Sequence, residues 1–369
     1  MIRTLNWRPG RILLVATVGL AAAAVPVSPA FASVTSASAY VWAYSPSTPS
    51  YTIPVVDSGP TWMRYLHAAN DGNGPITITR TAVGRYRVSF GGLGAVMPSS
   101  GTAHVAPYGS TPNLCTVVSW VRAGEDLRIT VGCFDPEGAP ADTSFVANFV
   151  ALSGIGDDVW PYSYLWADQP AAADYAPNWL YRYDTTGAAS RVVRDGVGTY
   201  RAYLPSSTDE TTLTYYQTSA YSTEPVACAT VGYLGDGWVR VLCRDAAGVL
   251  VDSRFSLSYT PNTLLVRVAP TYQLRVRATA VYAAVAWVSE SSTSHLVTAS
   301  RRGVGDYEVY LPEIGSDIGH AVVHSSASSG RVCSVKGWIH EGPDEWIQVR
   351  CVNHLGVSAD SSFFAAFTW

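Results

Sequence analysis

Three stretches of the chain carry one skeleton: CFDPEGAPADTSF at 133–145, CRDAAGVLVDSRF at 243–255 and CVNHLGVSADSSF at 351–363, each C-x4-G-x3-D-x2-F. A pattern that keeps its Cys, Gly, Asp and Phe while exchanging nearly everything between them is one site used three times or one fold built three times. A second set of segments gives the scale. RTAVGRYRVSF (80–90), RDGVGTYRAYL (194–204) and RRGVGDYEVYL (301–311) superpose, with Gly84, Gly198 and Gly305 spaced 114 and 107 residues apart. That period is too long for a solenoid and suits sandwich-sized units. The units expected are 34–153, 158–260 and 262–369.

Within a unit the hydrophobic period is 2. Tyr86, Val88 and Phe90 alternate with Arg85, Arg87 and Ser89, and Tyr307, Val309 and Leu311 alternate with Asp306, Glu308 and Tyr310. Alternation of this kind marks antiparallel strands with one buried and one wet face. Short strands separated by Gly, Pro, Asn and Ser clusters recur throughout, and no segment of the expected mature chain has a helical period. The fold class expected is therefore all-β: three tandem antiparallel β-sandwich or small-barrel domains, each with one disulfide.

The six cysteines fall two per unit. In an exported chain the natural pairing is Cys115 with Cys133, Cys228 with Cys243, and Cys333 with Cys351, although six cysteines formally permit about 15 connectivities. In the second unit the pair brackets GYLGDGWV, where Gly235-Asp236 reads as a two-residue type II′ turn. Folding about it sets Cys228 opposite Cys243 as a hydrogen-bonded pair, for which the Cα separation is about 5.5 Å.

Export is expected from the N-terminus. MIRTLNWRPGRILLVATVGLAAAAVPVSPAFAS has three arginines, an apolar run from Ile12 to Val25 and an Ala30-Phe31-Ala32 processing site. It reads as a signal peptide, 1–32, with a run too short to favour a spanning helix. Three of the 24 basic residues lie in it, leaving 21 basic against 28 acidic residues and a balance of −7. Phosphate backbones need a basic surface, so no nucleic-acid partner is expected. No second apolar stretch has membrane length, so the mature protein is expected to be secreted, extracellular or noncovalently held at the cell surface.

The skeleton itself reads as architecture. The Cys ends a strand, the Gly takes positive φ in a turn, the Asp caps that turn, and the Phe opens a core strand whose inward face continues through Ala147 and Phe149, Leu257 and Tyr259, or Ala365, Phe367 and Trp369. A threefold metal or acid site on Asp142, Asp252 and Asp360 is the rival, but one carboxylate per unit has no ligand partners.

The signal peptide, the YVWA and YLWA opening strands (Tyr40–Ala43, Tyr164–Ala167), the VG-x-Y strand and the C-x4-G-x3-D-x2-F ending together resemble secreted bacterial tandem-repeat β-domain proteins. The resemblance spans the expected mature chain and carries no activity with it. The third unit departs at its opening strand, where LLVRVAPTYQLRV replaces Y-x-W-A.

Strand parity singles out one set of residues. Counted from the cysteines, Trp120 and Arg128, Tyr233 and Trp238, and Trp338 and Trp346 stand opposite one another on the outer face, with Thr130, Arg240, Lys336 and Gln348. Exposed flat rings suit stacking on sugar rings or anchoring a protein partner, so these six are the candidate ligand contacts. The rival is that they steady hairpins or are covered by a neighbouring domain, and a β-bulge would invert the parity.

Five of the seven histidines lie in the third unit: His295, His320, His324, His340 and His354. His320 and His324 on one strand are about 13 Å apart, too far to share a metal. No H-E-x-x-H, G-x-S-x-G, P-loop or dinucleotide pattern is present. DGNG at Asp71–Gly74 reads as a Gly-rich turn rather than a calcium loop, and Asp157-Asp158 as a solvated linker pair. No catalytic residue, metal or cofactor is expected. The expected function is a secreted noncatalytic protein that binds a surface polysaccharide, cell-wall polymer or protein partner. The alternatives are a structural spacer and a hydrolase with its site in the third unit.

Overall fold

The computed structural model describes residues 36–54, 67–98, 100–152, 162–207, 214–261, 271–278, 283–289, 297–313 and 319–368, with the backbone alone for 214, 261, 271–278, 283–289 and 368. The expected signal peptide, Asp157, Asp158, His295 and Trp369 lie outside these residues.

The alternating pattern folds as strands almost throughout. The first segment forms β1 (Ser36–Ala43), β2 (Ser50–Ile53), β3 (Ala68–Asn70), β4 (Ile76–Ala82), β5 (Arg85–Phe90), the single-turn α1 (Leu93–Val96), β6 (Thr102–Tyr108), β7 (Leu114–Ala123), β8 (Asp126–Phe134) and β9 (Ser144–Leu152). The second forms β10 (Ser163–Ala167), β11 (Asp174–Tyr175), β12 (Arg182–Asp184), β13 (Arg191–Gly196), β14 (Thr199–Tyr203), β15 (Thr214–Tyr221), β16 (Val226–Gly235), β17 (Trp238–Asp245) and β18 (Arg254–Pro261). The third forms β19 (Thr271–Ala278), β20 (Ala283–Ser289), β21 (Thr298–Gly303), β22 (Asp306–Leu311), β23 (His320–Ser325), β24 (Val332–Glu341), β25 (Asp344–Val352) and β26 (Phe363–Thr368).

Each segment contributes two half-sheets. The inner halves run β3-β1-β9-β6, β12-β10-β18-β15 and β20-β19-β26-β23; the outer halves run β2-β4-β5-β8-β7, β11-β13-β14-β17-β16 and β21-β22-β25-β24. The faces meet in three sandwich cores. The first joins Phe145, Ala147 and Phe149 to Tyr86, Val88 and Ile129; the second joins Phe255 and Leu257 to Tyr200, Val239 and Val241; the third joins Phe363, Ala365 and Phe367 to Tyr307, Val309 and Ile347. Phe145, Phe255 and Phe363 are fully buried, and each such side chain contributes about 1.5 to 3 kcal/mol.

The sheets do not stop at segment ends. Strand β7 runs parallel to β15, with Val117 opposite Tyr221, and β24 runs parallel to β6, with Val335 opposite Tyr108. Outer half one thus continues into inner half two, and outer half three into inner half one, giving a nine- and an eight-stranded sheet. Inner-half residues of all three segments, including Ala106, Val146, Ala220, Val322 and Phe364, pack in one cluster. The segments form a ring about a pseudo-threefold axis.

The disulfides are Cys115–Cys133, Cys228–Cys243 and Cys333–Cys351, each linking the last two strands of an outer half. Their detail corrects the expected geometry. The Cα separations are 4.1, 4.1 and 4.0 Å, those of a non-hydrogen-bonded pair. The main chains of Cys133, Cys243 and Cys351 point the other way: each N–H donates to the carbonyl of Gly84, Gly198 or Gly305, and each carbonyl accepts from Ala141, Val251 or Ala359. The hairpin turn also moves one residue along, to Asp236-Gly237, because Gly235 pairs with Trp238. Asp236 and Gly237 have φ of 48° and 80°, the double positive φ of a type I′ turn.

Candidate functional site

The Asp of the repeated skeleton does not cap its own turn. It reaches back to the β4–β5 hairpin or its equivalent and gathers three partners. Asp142 accepts Arg80 Nε and Nη2 at 2.9 to 3.0 Å, the Gly84 N–H at 2.9 Å and the Tyr86 hydroxyl at 3.1 Å. Asp252 repeats this with Arg194, Gly198 and Tyr200, and Asp360 with Arg301, Gly305 and Tyr307. The tyrosine hydroxyl in turn accepts the N–H of Thr143, Ser253 or Ser361. The arginine beside each carboxylate holds it below the usual range, to about 2 for Asp360. Each carboxylate already carries a guanidinium, an amide and a phenol. This is a clasp between the last strand and the hairpin, repeated because the fold is repeated.

The turn after each Cys is capped by the residue two positions on. Asp135 and Asp245 accept the N–H of Ala139 and Val249, and Asn353 those of Leu355 and Val357. The glycine of the skeleton takes positive φ at Gly138, Gly248 and Gly356 (87°, 77° and 72°) and abuts the neighbouring segment. A β-carbon at Gly138 meets Pro225 and Ala246, one at Gly248 meets His354, and one at Gly356 meets Pro112 and Pro136. The three turns therefore close a ring at one end of the axis.

The six candidate contacts divide into two sets, and the divider is a bulge. Register shifts between Val117 and Ser119, Thr230 and Gly232, and Val335 and Gly337 leave one extra residue ahead of each ring in β7, β16 and β24, and β16 shifts again between Tyr233 and Gly235. The parity counted from the cysteines is thereby inverted beyond the bulge. Trp120 stands opposite Ile129, Tyr233 opposite Val239 and Trp338 opposite Ile347, not opposite Arg128, Trp238 and Trp346. Glycine at the bulge in two of three copies is the sequence signal that marks it.

The displaced rings pack at segment junctions. Trp338 lies 5.5 Å from Trp42, 5.1 Å from Tyr108 and 5.0 Å from His67, ring to ring. Trp120 lies 5.1 Å from Phe149 and 5.6 Å from Tyr181, which itself meets Trp166 at 5.0 Å. The tryptophan of the first Y-x-W-A strand thus meets the bulge aromatic of the third segment directly, and Trp166 of the second is joined to Trp120 through Tyr181. The third segment has Arg275 at that register, opposite Phe364. There Tyr233 bonds within its own segment, its hydroxyl donating to the Ser207 carbonyl.

Arg128, Trp238 and Trp346 share the other position, on the face turned away from the cores. Trp238 pairs across strands with Tyr203, rings 5.2 Å apart, with the Arg201 guanidinium 5.5 Å from its ring. Trp346 pairs with Tyr310 at 4.5 Å. In the first segment the equivalent pair is Ser89 and Arg128. Trp238 and Trp346 are half-buried and Arg128 is exposed.

The histidines give no metal centre: among the described residues no group of three His, Cys, Asp or Glu is placed to hold an ion. His67, His104, His320 and His324 instead lie where the first and third segments meet. The His320 ring lies 4.8 Å from that of Tyr40, tilted against it, and the His104 and His324 rings are 6.5 Å apart. Burial pushes His67 down to about 4, His320 and His324 to about 3, and His104 well below its ordinary range. His340 and His354 are exposed. In the DGNG turn the Asp71 carboxylate accepts the Ser38 N–H and hydroxyl. No helix among the described residues is long and apolar enough to cross a membrane.

No family model matches the chain, and no curated protein or solved structure matches it.

Proposed function

We propose that this is a secreted, noncatalytic binding protein whose outer half-sheets hold a surface polysaccharide or cell-wall polymer. The observation that carries the reading is the pair of equivalent aromatic platforms, Tyr203–Trp238 and Tyr310–Trp346, on the wet faces of two outer halves. Paired rings on a sheet offer a flat apolar surface to the faces of sugar rings, and the Arg201–Asp195 ion pair beside one of them supplies polar partners for hydroxyls. Two platforms on one framework bind a polymer by avidity even when each is weak. Arg128 holds the matching position in the first segment and is a polar contact in this reading. Three disulfides accord with life outside the cytoplasm.

A structural role is the second reading, favoured by Trp120 and Trp338, which are packed between segments. Pull-down on insoluble polysaccharides and bacterial cell wall separates the two. Retention of the parent and loss in a folded Trp238→Ala/Trp346→Ala variant supports the polymer reading. Failure of the parent to bind any member of the panel removes it and leaves the structural role or a protein partner.

A further inference from the structure

The ring closes unequally. At two junctions an outer strand runs in register beside the next inner strand, with Val117 opposite Tyr221 and Val335 opposite Tyr108. The equivalent ladder between β16 and β23 is absent among the described residues, and Arg275 replaces the junction tryptophan there. That junction is bridged instead by Arg244, whose Nη2 donates to the Ser328 carbonyl at 3.1 Å and whose Nη1 donates to Gly248 at 2.8 Å. Gly330 lies against the same side chain, its β-carbon position 2.6 Å from Arg244 Cδ.

A cavity of about 60 Å³ opens at this place. Its wall repeats with the fold: Ala106, Ser219 and His324 occupy equivalent positions, as do the three disulfides through Cys115, Cys228 and Cys333. Val105, Pro107 and Leu114 of the first segment add to it, and the remainder of the wall comes from the second and third segments and includes Arg244 and Arg331. No Asp or Glu lines it, in a chain whose acidic residues outnumber its basic ones. Two buried polar atoms on the wall residues have no partner, Arg244 Nε and His324 Nε2. Buried polar groups left unpaired are destabilising, so each favours a ligand that supplies a partner.

We propose that this cavity is a binding site for a small oxyanion of phosphate size. Room for one water needs about 10 to 15 Å³ by the same measure, so the space takes roughly four waters or one tetrahedral ion. Two arginines on a wall with no carboxylate match an oxyanion in charge, and the unpaired Nε of Arg244 is a donor for one of its oxygens. His324 already bonds the main chain of Thr218. A hydrogen-phosphate ion brings both complements, anionic oxygens for the arginines and a hydroxyl for the imidazole nitrogen. Filling the cavity ties the second segment to the third, the function that the missing ladder and tryptophan serve at the other two junctions.

The test uses the purified disulfide-bonded protein at pH 7. Melting is followed in inorganic phosphate and in sodium chloride of equal ionic strength, and phosphate binding is then titrated calorimetrically. The expected result is one saturable site per chain and a melting temperature several degrees higher in phosphate alone. Arg331→Gln should weaken phosphate at least tenfold with little change in unliganded melting, and Ala106→Leu, which fills the cavity, should abolish the response. A phosphate effect no larger than that of chloride overturns the proposal, as does an effect retained in both variants. If either variant fails to fold, the parent's titration against chloride still decides.

Discussion

Asp142 Oδ1 accepts the main-chain N–H of Gly84 at 2.9 Å across 58 residues of chain. The bond explains why both residues recur. A β-carbon at Gly84 would lie 2.4 Å from the Cys133 carbonyl oxygen, and φ there is 61°. No other residue brings the hairpin close enough for the carboxylate to reach it. Gly84→Ala is expected to cost more than 2 kcal/mol, from positive φ plus the clash. Gly124→Ala is the matched control: its φ is 69° and nothing lies within 4 Å of the added carbon. It should cost about 1 kcal/mol. Equal losses in denaturant melts would show that the close approach contributes nothing.

Replacing the clasp carboxylate by its amide keeps shape and removes charge. Asp252→Asn is expected to lower stability by about 1 to 3 kcal/mol, since hydrogen bonds to a charged group are lost while Arg194, Gly198 and Tyr200 remain in place. Polymer retention in the pull-down should be unchanged. Loss of retention at wild-type stability would return the aspartates to the list of functional groups.

The two sets of aromatics should separate in a single experiment. Trp338→Ala removes a ring packed on Trp42, Tyr108 and His67, and should cost about 2 to 4 kcal/mol. Trp346→Ala loses one cross-strand partner, Tyr310, and should cost about 1 kcal/mol. If the ranking in urea melts is reversed, the bulge does not divide the set as described.

Acid should loosen the junction of the first and third segments. His320 is fully buried, and its folded pKa of about 3 lies below the value of 6.5 for a free side chain. The unfolded chain then binds more protons, so this contribution is intact above pH 6.5 and is lost as pH falls from there toward 3. At pH 4.5 one such histidine costs about 2 to 3 kcal/mol. The clasp aspartates act in a lower window, their folded pKa values lying below 3.8, so their contribution persists to about pH 4 and falls below it. His320→Phe should make the decline between pH 6.5 and 4.5 shallower, leaving the share of His67, His104 and His324 and the lower decline in place. An unaltered profile would place the acid response elsewhere.

The sandwich class and the disulfide pairing were legible because both follow from local rules: alternation at period 2 and two cysteines per copy. The parity of Trp120, Tyr233 and Trp338 was not, because one residue inserted between the cysteine and each ring inverts that ring's parity. Ser119, Gly232 and Gly337 held the only hint. Asp142 was misread as a turn cap because its partners lie on a hairpin more than 50 residues earlier, and sequence spacing carries no such information. The joining of Val117 to Tyr221 and of Val335 to Tyr108 left no pattern at all, since a parallel ladder between segments depends on how three surfaces meet.

That last pairing, Val335 beside Tyr108, also fixes a number. In an open array a further copy can be added at either end, each needing only one neighbour. Here the third copy returns to the first, so a fourth added at either end would have to break the pairing of β24 with β6 to join the ring. Growth at either end stops at three, and loss of the first copy leaves two raw strand edges, β15 and β24, where continuous sheets had been.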